Sequence, residues 1–174
     1  MTHNIGRARG TALQELDRID LRILMALQEN GRISNKELAD KVGLSPSPCL
    51  VRVKRLEDAK LISRYMAVIE LRKLVDTITV FALFYLRDSD YKSAHAVEQY
   101  LLGLPELCEL YDVNGECDYF ARLVCRSAED YAQIAHELLE KPQYQVRQIS
   151  SHILLRQLRG FTGVNLTRLL SAEK

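Results

Sequence analysis

Apolar positions recur with two different periods along the 174-residue chain. Over residues 16–62 they return every three or four residues, which predicts amphipathic helices. From residue 77 onward they alternate or run together between turn residues, which predicts strands, with two helical segments between them. The change of period predicts an α+β chain with an amino-terminal helical domain and a carboxy-terminal mixed domain.

The first two helices of the amino-terminal domain are predicted from their caps. Asp17 can cap the first helix, which Asn30-Gly31 ends, although a start at Thr11 is also open. Ser34 and Glu37 form a capping box for a second, short helix, which Gly43 ends. A short helix, a glycine turn and another helix make the helix-turn-helix pattern, predicted over residues 16–62.

The third helix begins within "GLSPSPCLVRVKRLED". Ser45 is a plausible cap with Pro46 in the first turn, where the amide is not needed, but Pro48 also permits a start at Ser47. On a helical projection Cys49, Val53 and Leu56 share one side, and the opposite side carries a serine, a valine and basic residues.

That polar side has two interpretations. A solvated charged face is the ordinary one, but a basic second helix of a helix-turn-helix pair can enter the major groove of DNA and reach phosphates or base edges. We therefore predict a DNA-binding surface with these contact residues: Ser34, Asn35, Lys36, Ser45, Ser47, Val51, Arg52, Lys54 and Arg55.

Residues 77–160 are predicted to form a second domain. Four β-rich segments, at 77–87, 107–113, 119–126 and 146–158, are separated by helical patterns at 93–102 and from 127 onward. This β-α-β-β-α-β order matches the ferredoxin-like split fold, with helices on one face of the sheet. The other face still carries apolar residues, so we predict that it packs against a second protomer in a homodimer.

Three further segments are predicted. Residues 1–15 are interpreted as a flexible arm, in which Arg7 and Arg9 could add phosphate contacts. Residues 63–76 have strand composition and are predicted as a linker strand, or as a wing of the helical domain. Residues 161–174 are interpreted as a carboxy-terminal tail.

Charge and cysteine content narrow the function. Residues 1–75 carry a net charge of +5 and residues 76–174 a net charge of −4, although the whole chain carries only +1. A basic amino-terminal part suits a polyanionic partner. No apolar run reaches the ~20 residues that a membrane span needs, and the first residues lack a signal-peptide core, which favours a cytoplasmic protein. The four cysteines lack metal-binding spacing, so no metal or cofactor is predicted.

The segments "LDRIDLRILMALQENGRISNKELADKVGLSPSPCLVRVKRLEDAKLI" and "VNGECDYFARLVC" resemble the Lrp/AsnC (feast/famine) family of prokaryotic transcription regulators. The resemblance covers roughly residues 16–158. It implies an amino-terminal DNA-binding domain, a carboxy-terminal domain for effector binding and oligomerisation, and dimers that often assemble into octamers. Effectors of the family are usually amino acids, which bind between dimers near the loop after the second strand.

Carried over residue by residue, the resemblance gives candidate effector contacts. Two positions depart from the family pattern: Val51 stands where an arginine is common, and Glu116-Cys117 stand where the best-known members have Asp and Phe, which leaves the effector open. Asn114-Gly115 also fits a plain hairpin turn, Asp118 a turn cap, and His152 a structural role. The candidates are Gly115, Glu116, Cys117, Asp118, Tyr119, Ser150, Ser151 and His152.

Three functions compete at this point. The leading one is a sequence-specific transcriptional regulator whose assembly and DNA affinity respond to an amino acid. The alternatives are a sirohaem-decarboxylase-like enzyme, in which His152 and Arg156 would serve a haem-like carboxylate, and a nucleoid-type DNA-binding protein of low specificity. The residues suggest no nucleophile–base arrangement, so we do not expect an enzyme.

Overall fold

The computed structural model describes residues 16–87 and 91–171, which divide into two compact units. The first unit contains residues 16–68 and 159–171, and the second contains the described residues between 69 and 158. The proposed arm over residues 1–15 lies outside the described residues.

Three helices form the main part of the first unit: α1 (Arg18–Glu29), α2 (Asn35–Val42) and α3 (Pro46–Asp58). Asp17 and Ser34 cap α1 and α2, as predicted; the predicted capping box of Ser34 is present, and Asp17 forms one with Asp20 as well. Gly43 ends α2 with a φ of +78°, a conformation that glycine adopts without strain. The helix-turn-helix is thereby confirmed, and its core holds these buried residues: Ile23, Ala26, Leu38, Ala39, Val42, Cys49 and Leu56.

The two serine caps differ in a way that stability measurements can detect. Ser34 Oγ accepts a hydrogen bond from the Glu37 amide at 3.2 Å, whereas the Ser45 side chain makes no cap hydrogen bond at the start of α3. We expect Ser34→Ala to lower the free energy of unfolding by about 1 kcal/mol. Ser45→Ala, the matched control, should stay within about 0.5 kcal/mol in the same denaturant titration. Equal losses in the two variants would contradict this assignment.

The predicted linker strand differs from the structure. Residues 63–70 form no strand, and a short 3-10 turn covers Leu71–Lys73. The segment has the apolar composition of a strand, but a strand also needs a neighbour to hydrogen-bond, and no described part of this chain supplies one. Several of its apolar side chains are exposed: Tyr65, Met66, Val68, Ile69, Leu74 and Val75.

The predicted tail contains a helix that belongs to the first unit. Helix α6 (Leu166–Ser171) follows Asn165, whose side chain accepts a hydrogen bond from the Arg168 amide at 2.9 Å. Just before it, the Gln28 side-chain amide of α1 accepts from the Val164 amide at 2.8 Å and donates to the Val164 carbonyl at 3.3 Å. Gly163, at φ +96°, allows this approach, because an added Cβ would lie 2.6 Å from the Gln28 side chain.

The second unit is a four-stranded antiparallel sheet covered by two helices. Its strand order is β2-β3-β1-β4, the arrangement of the ferredoxin-like split fold, so the predicted architecture is confirmed. The last strand ends earlier than the predicted residue 158. In chain order the elements are β1 (Ile78–Leu86), α4 (Tyr91–Leu102), β2 (Leu107–Asp112), β3 (Tyr119–Cys125), α5 (Ala128–Glu140) and β4 (Val146–Ile153).

The two faces of this sheet have different environments. Alternate residues of β1 and β3, such as Phe84 and Leu123, are buried in one core cluster with residues of α4 and α5. The opposite face, here called the open face, is only half-buried in the protomer and includes Phe81 and Phe120, whose rings stack with centroids 5.8 Å apart. Its remaining members on β1 and β3 are Thr79, Leu83, Tyr85, Arg122 and Val124.

Candidate nucleic-acid interface and effector loop

The exposed side of α3 carries a continuous row of side chains, here called the recognition stripe. It consists of Ser47, Leu50, Val51 and Lys54, at the i, i+3, i+4 and i+7 positions that share one helix face. Leu50 is 58% exposed and Val51 is 67% exposed, although both are aliphatic. The predicted inner side is confirmed, because Cys49 and Leu56 are buried and Val53 is half-buried. The stripe therefore faces solvent with two apolar residues at its centre.

The two arginines of α3 bind aspartates at the start of α1. Arg52 donates to Asp17 at 2.6 Å and to Asp20 at 2.9 Å, and Arg55 donates to Asp20 at 2.5 Å. The Asp20 side chain is fully buried, whereas those of Arg52 and Arg55 are 28% and 50% exposed. We call these four residues the aspartate–arginine cluster. It neutralises a buried carboxylate and connects the α1 cap to the middle of α3.

Electrostatics within the cluster follow from these bonds. The pKa of Asp17 is lowered, chiefly by the hydrogen bond that the Asp20 amide donates to its carboxylate, and also by the Arg52 guanidinium. The pKa of Arg52 is raised by its hydrogen bonds to the carboxylates of Asp17 and Asp20. The Asp17 contribution to stability is therefore present above its ordinary pKa near 3.8 and is lost as the pH falls through the lower folded value.

Other predicted DNA contacts also have partners inside the first unit. The Asn35 side chain donates to the Pro46 carbonyl at 2.8 Å and holds the start of α3 against α2. Ser34 is occupied by the capping box with Glu37. Lys36 and Ser45 are exposed, as are Ser47 and Lys54 of the recognition stripe. The geometry therefore separates the predicted set into residues whose side chains are hydrogen-bonded within the first unit and residues whose side chains are exposed to solvent.

The loop between β2 and β3 holds the first group of effector candidates. Asp118 fixes this loop to β1, because its amide donates to the Phe84 carbonyl at 2.9 Å and its carboxylate accepts from the Leu86 amide at 2.7 Å. Gly115 and Glu116 are exposed at the tip of the loop, and Cys117 is half-buried. The turn-cap interpretation of Asp118 thus has a direct structural basis, while its effector role remains a prediction.

Tyr119 lies differently from its neighbours in the loop. It is the first residue of β3, its side chain is buried, and its hydroxyl donates to Glu98 of α4 at 2.8 Å. Burial is the main cause that raises the pKa of Tyr119, with Glu98 second. Within the protomer, Tyr119 therefore joins the sheet to α4 at the point where the loop enters β3.

The second group of candidates is divided between the faces of the sheet. Ser151 is paired with Ala82 and forms a short hydrogen bond with the Tyr131 hydroxyl of α5, on the helix-covered side. Ser150 and His152 pair with Leu83 and Phe81 and so lie on the open face, where Ser150 Oγ is 3.4 Å from His152 Nε2. Of the three candidates on β4, Ser150 and His152 therefore share the open face, and Ser151 does not.

The two candidate groups are not adjacent in one protomer. The loop leads into β3, and β1 lies between β3 and β4, so the groups are about two strand spacings, ~10 Å, apart. Two shallow clefts, of about 290 and 180 Å³, lie elsewhere, one beside Arg87 and Lys141 and the other beside Gln28 and Val164. In the described part of the chain, no three His, Cys, Asp or Glu residues are grouped as metal ligands.

Sequence reasoning did not include Leu50 in the site, and it predicted Arg52 and Arg55 as DNA contacts without the ion pairs that join them to Asp17 and Asp20 in the aspartate–arginine cluster. Leu50 could have been found from its i+3 spacing to Ser47, because the buried side of α3 is already complete without it. The cluster could not, since Arg52 and Arg55 are 32 and 35 residues away from Asp20 in the chain. The predicted enzyme residues His152 and Arg156 are both exposed, and Arg156 lies beyond the end of β4.

Comparison with protein families agrees with the two units. Residues 16–63 match a family described as winged helix-turn-helix DNA-binding, and residues 79–164 match the Lrp/AsnC ligand binding domain. No helix in the described ranges has the length and apolar content that a membrane crossing requires.

Individual relatives point in the same direction. A leucine-responsive regulatory protein of Rhizobium meliloti is 32% identical over 87% of this chain and 97% of its own length. The transcriptional regulator AzlB of Bacillus subtilis is 34% identical over 73% of this chain and 82% of its own. Among solved structures, a transcriptional regulator of Neisseria meningitidis in complex with L-Met superimposes with a TM-score of 0.78 at 29% identity, covering 88% of this chain and 99% of that one.

Proposed function

Because this chain belongs to the Lrp/AsnC family of DNA-binding transcriptional regulators, we propose that it binds its operators as a symmetric homo-oligomer whose affinity is set by a small amino acid. The observation that carries the DNA-binding part is the recognition stripe, which a capped helix-turn-helix presents to solvent. In a helix-turn-helix pair the second helix, which is α3 in this chain, enters the major groove, and its first turns face the base edges.

The open face supports assembly into dimers. The Phe81 and Phe120 rings stack there, the two helices of the second unit pack on the other side of the sheet, and the buried Nε of Arg122 has no hydrogen-bond partner in the protomer. A second copy packed on this face would cover the apolar rings and bring acceptors to Arg122. In a two-fold dimer the two α3 helices would bind half-sites that are about one turn of the DNA helix, or a multiple of it, apart. Four such dimers would form an octamer with further pairs of α3 helices.

The effector part rests on the loop tip and on the separation of the candidate groups. Gly115, Glu116 and Cys117 are available at the tip, and Ser150 and His152 lie across the sheet. Since ~10 Å separates these groups in one protomer, an amino acid would bridge them only with residues from another copy. The relative solved with L-Met supports an amino acid as the ligand class. An effector that favours one assembly state shifts DNA affinity by its unequal binding to the two states.

The test of DNA recognition is a specificity ratio. Sequences selected from random double-stranded DNA by the full-length protein should bind at least 10³-fold more tightly than unselected DNA at one fixed salt concentration. Failure to enrich any sequence, with uniform affinity for all DNA, would support the nucleoid-type alternative instead.

The effector proposal predicts a change in melting temperature. Screened against the twenty amino acids, the full-length protein should be stabilised by one of them, or a small related group, by about 5–10 °C at a hundred times the dissociation constant. Glu116→Ala should reduce this shift without altering the unliganded melting temperature, because the residue is exposed. Gln143→Ala, an exposed change in the short 3-10 turn between α5 and β4, is the matched control, and an equal loss of the shift in it would argue against the site.

A further inference from the structure

Two aliphatic side chains at the centre of a DNA-binding surface need a ligand that is itself apolar. Leu50 and Val51 are both more than half exposed, and neither joins the hydrophobic core of the first unit. Polar residues border them on the same face, with Ser47 one turn before and Lys54 one turn after. On a helix face that enters a groove of DNA, these two side chains supply an apolar contact surface.

The neighbouring arginines do not take over the reading of bases. Arg52 and Arg55 each donate to the buried Asp20 carboxylate, and Arg52 also donates to Asp17. An arginine that reads guanine must present two donors to the O6 and N7 atoms in a bidentate contact. Moving either guanidinium to that position would remove a partner from a fully buried carboxylate, which is costly. The groove-facing part of α3 is thus mainly apolar, with Ser47 and Lys54 as its polar members.

Within the major groove, the apolar group that a base pair presents is the methyl group on C5 of thymine. We propose that Val51 and Leu50 read C5-methyl groups, so that each half-site of the operator carries thymine opposite Val51 and is selected by that methyl group. This inference rests on the proposed function and adds to it the base that the stripe recognises. Val51 makes the contact with that methyl group, and Leu50, beside it on the stripe, excludes water from the contact.

The experiment removes the methyl group and nothing else. In the selected operator each thymine is replaced in turn by deoxyuridine, and binding of the full-length protein is measured by fluorescence anisotropy at one salt concentration. We expect one position per half-site at which the substitution weakens binding about fourfold, the effect of removing one methyl group from a contact, and about 15-fold when both half-sites are changed. Thymines elsewhere in the operator should tolerate deoxyuridine.

Variants assign the methyl contact to the side chain. Val51→Ala should bind the thymine and deoxyuridine operators equally at the sensitive position, while its melting temperature stays that of the wild type. Lys54→Ala is the control on the same stripe; it should weaken binding to both operators and retain the fourfold difference between them. A further pair of operators carries cytosine or 5-methylcytosine at the sensitive position. Tighter binding of the 5-methylcytosine operator shows that the methyl group alone is read. Equal affinity for the two shows that the thymine base itself is required.

Two results would overturn the inference. One is an operator that the protein prefers but in which no thymine is sensitive to deoxyuridine; this leaves the proposed function intact and would assign the aliphatic pair to a protein partner. The other is a deoxyuridine effect of equal size in wild type, Val51→Ala and Leu50→Ala. If the protein selects no DNA sequence at all, the proposed function fails together with the inference.

Discussion

Removing both arginines of the aspartate–arginine cluster lowers the free energy of unfolding of the first unit by about 3–5 kcal/mol. In Arg52→Ala/Arg55→Ala the Asp20 carboxylate stays buried, but both guanidinium groups that neutralise it are gone. The Asp17 amide still donates to it at 3.1 Å, yet one hydrogen bond does not replace two charged partners. The loss is measured by denaturant unfolding of the full-length protein, monitored by circular dichroism of the helices.

Two further variants make this result specific. Adding Asp20→Asn to the double variant should recover a large part of the stability, because the buried group is then neutral. Lys54→Ala, an exposed change on the same helix, should leave stability within about 0.5 kcal/mol. If the arginine double variant and Lys54→Ala have the same free energy of unfolding, the cluster does not hold α1 and α3 together.

Lys54→Ala should have the opposite pair of effects from the arginine double variant: it should weaken DNA binding and leave stability unchanged. Lys54→Ala is expected to weaken operator binding about 10- to 100-fold while the melting temperature is unchanged, because the ammonium group extends from the stripe and the cluster does not include it. If Lys54 contacts a phosphate, the slope of log affinity against log salt should fall by about two in a dimer, one for each recognition helix.

The control for Lys54 is a lysine outside the first unit. Lys92→Ala removes an exposed ammonium group from α4, and it should leave the affinity and its salt dependence as they are in the wild type. Comparable losses in the two variants would mean that net charge alone determines binding, and would remove the special position of the stripe. An Arg55 variant is unsuitable for this purpose, since it also removes a partner of Asp20.

The features that the sequence predicts correctly are local ones. The cap of α1 by Asp17 and the capping box of Ser34 with Glu37 join residues at most three positions apart, so their chemistry is visible in the order of the residues. The alternation that marks β1 and β3 is likewise a property of each strand alone. These local patterns were sufficient for the helix-turn-helix and for the ferredoxin-like sheet.

The features that the sequence could not predict depend on distant partners. The sequence shows Asp20 only as an acidic residue in the first turn of α1, but its buried partners come from α3, 32 and 35 residues away. Residues 63–76 have strand composition without a partner strand in the described chain. Ser151 lies on the helix-covered side of the sheet because of the pairing register of β4 with β1, which the strand sequence alone does not determine.

The return of the carboxy-terminal segment to α1 has a consequence for the topology of the molecule. The chain leaves the first unit after residue 68 and re-enters it at residue 159, so the ferredoxin-like unit is an inserted domain with two covalent connections to its host. A fragment that stops at residue 68 would lack the Val164 partner of Gln28 and the helix that follows it. The DNA-binding module is therefore discontinuous in sequence, and isolating it requires a linker that joins residue 68 to residue 159.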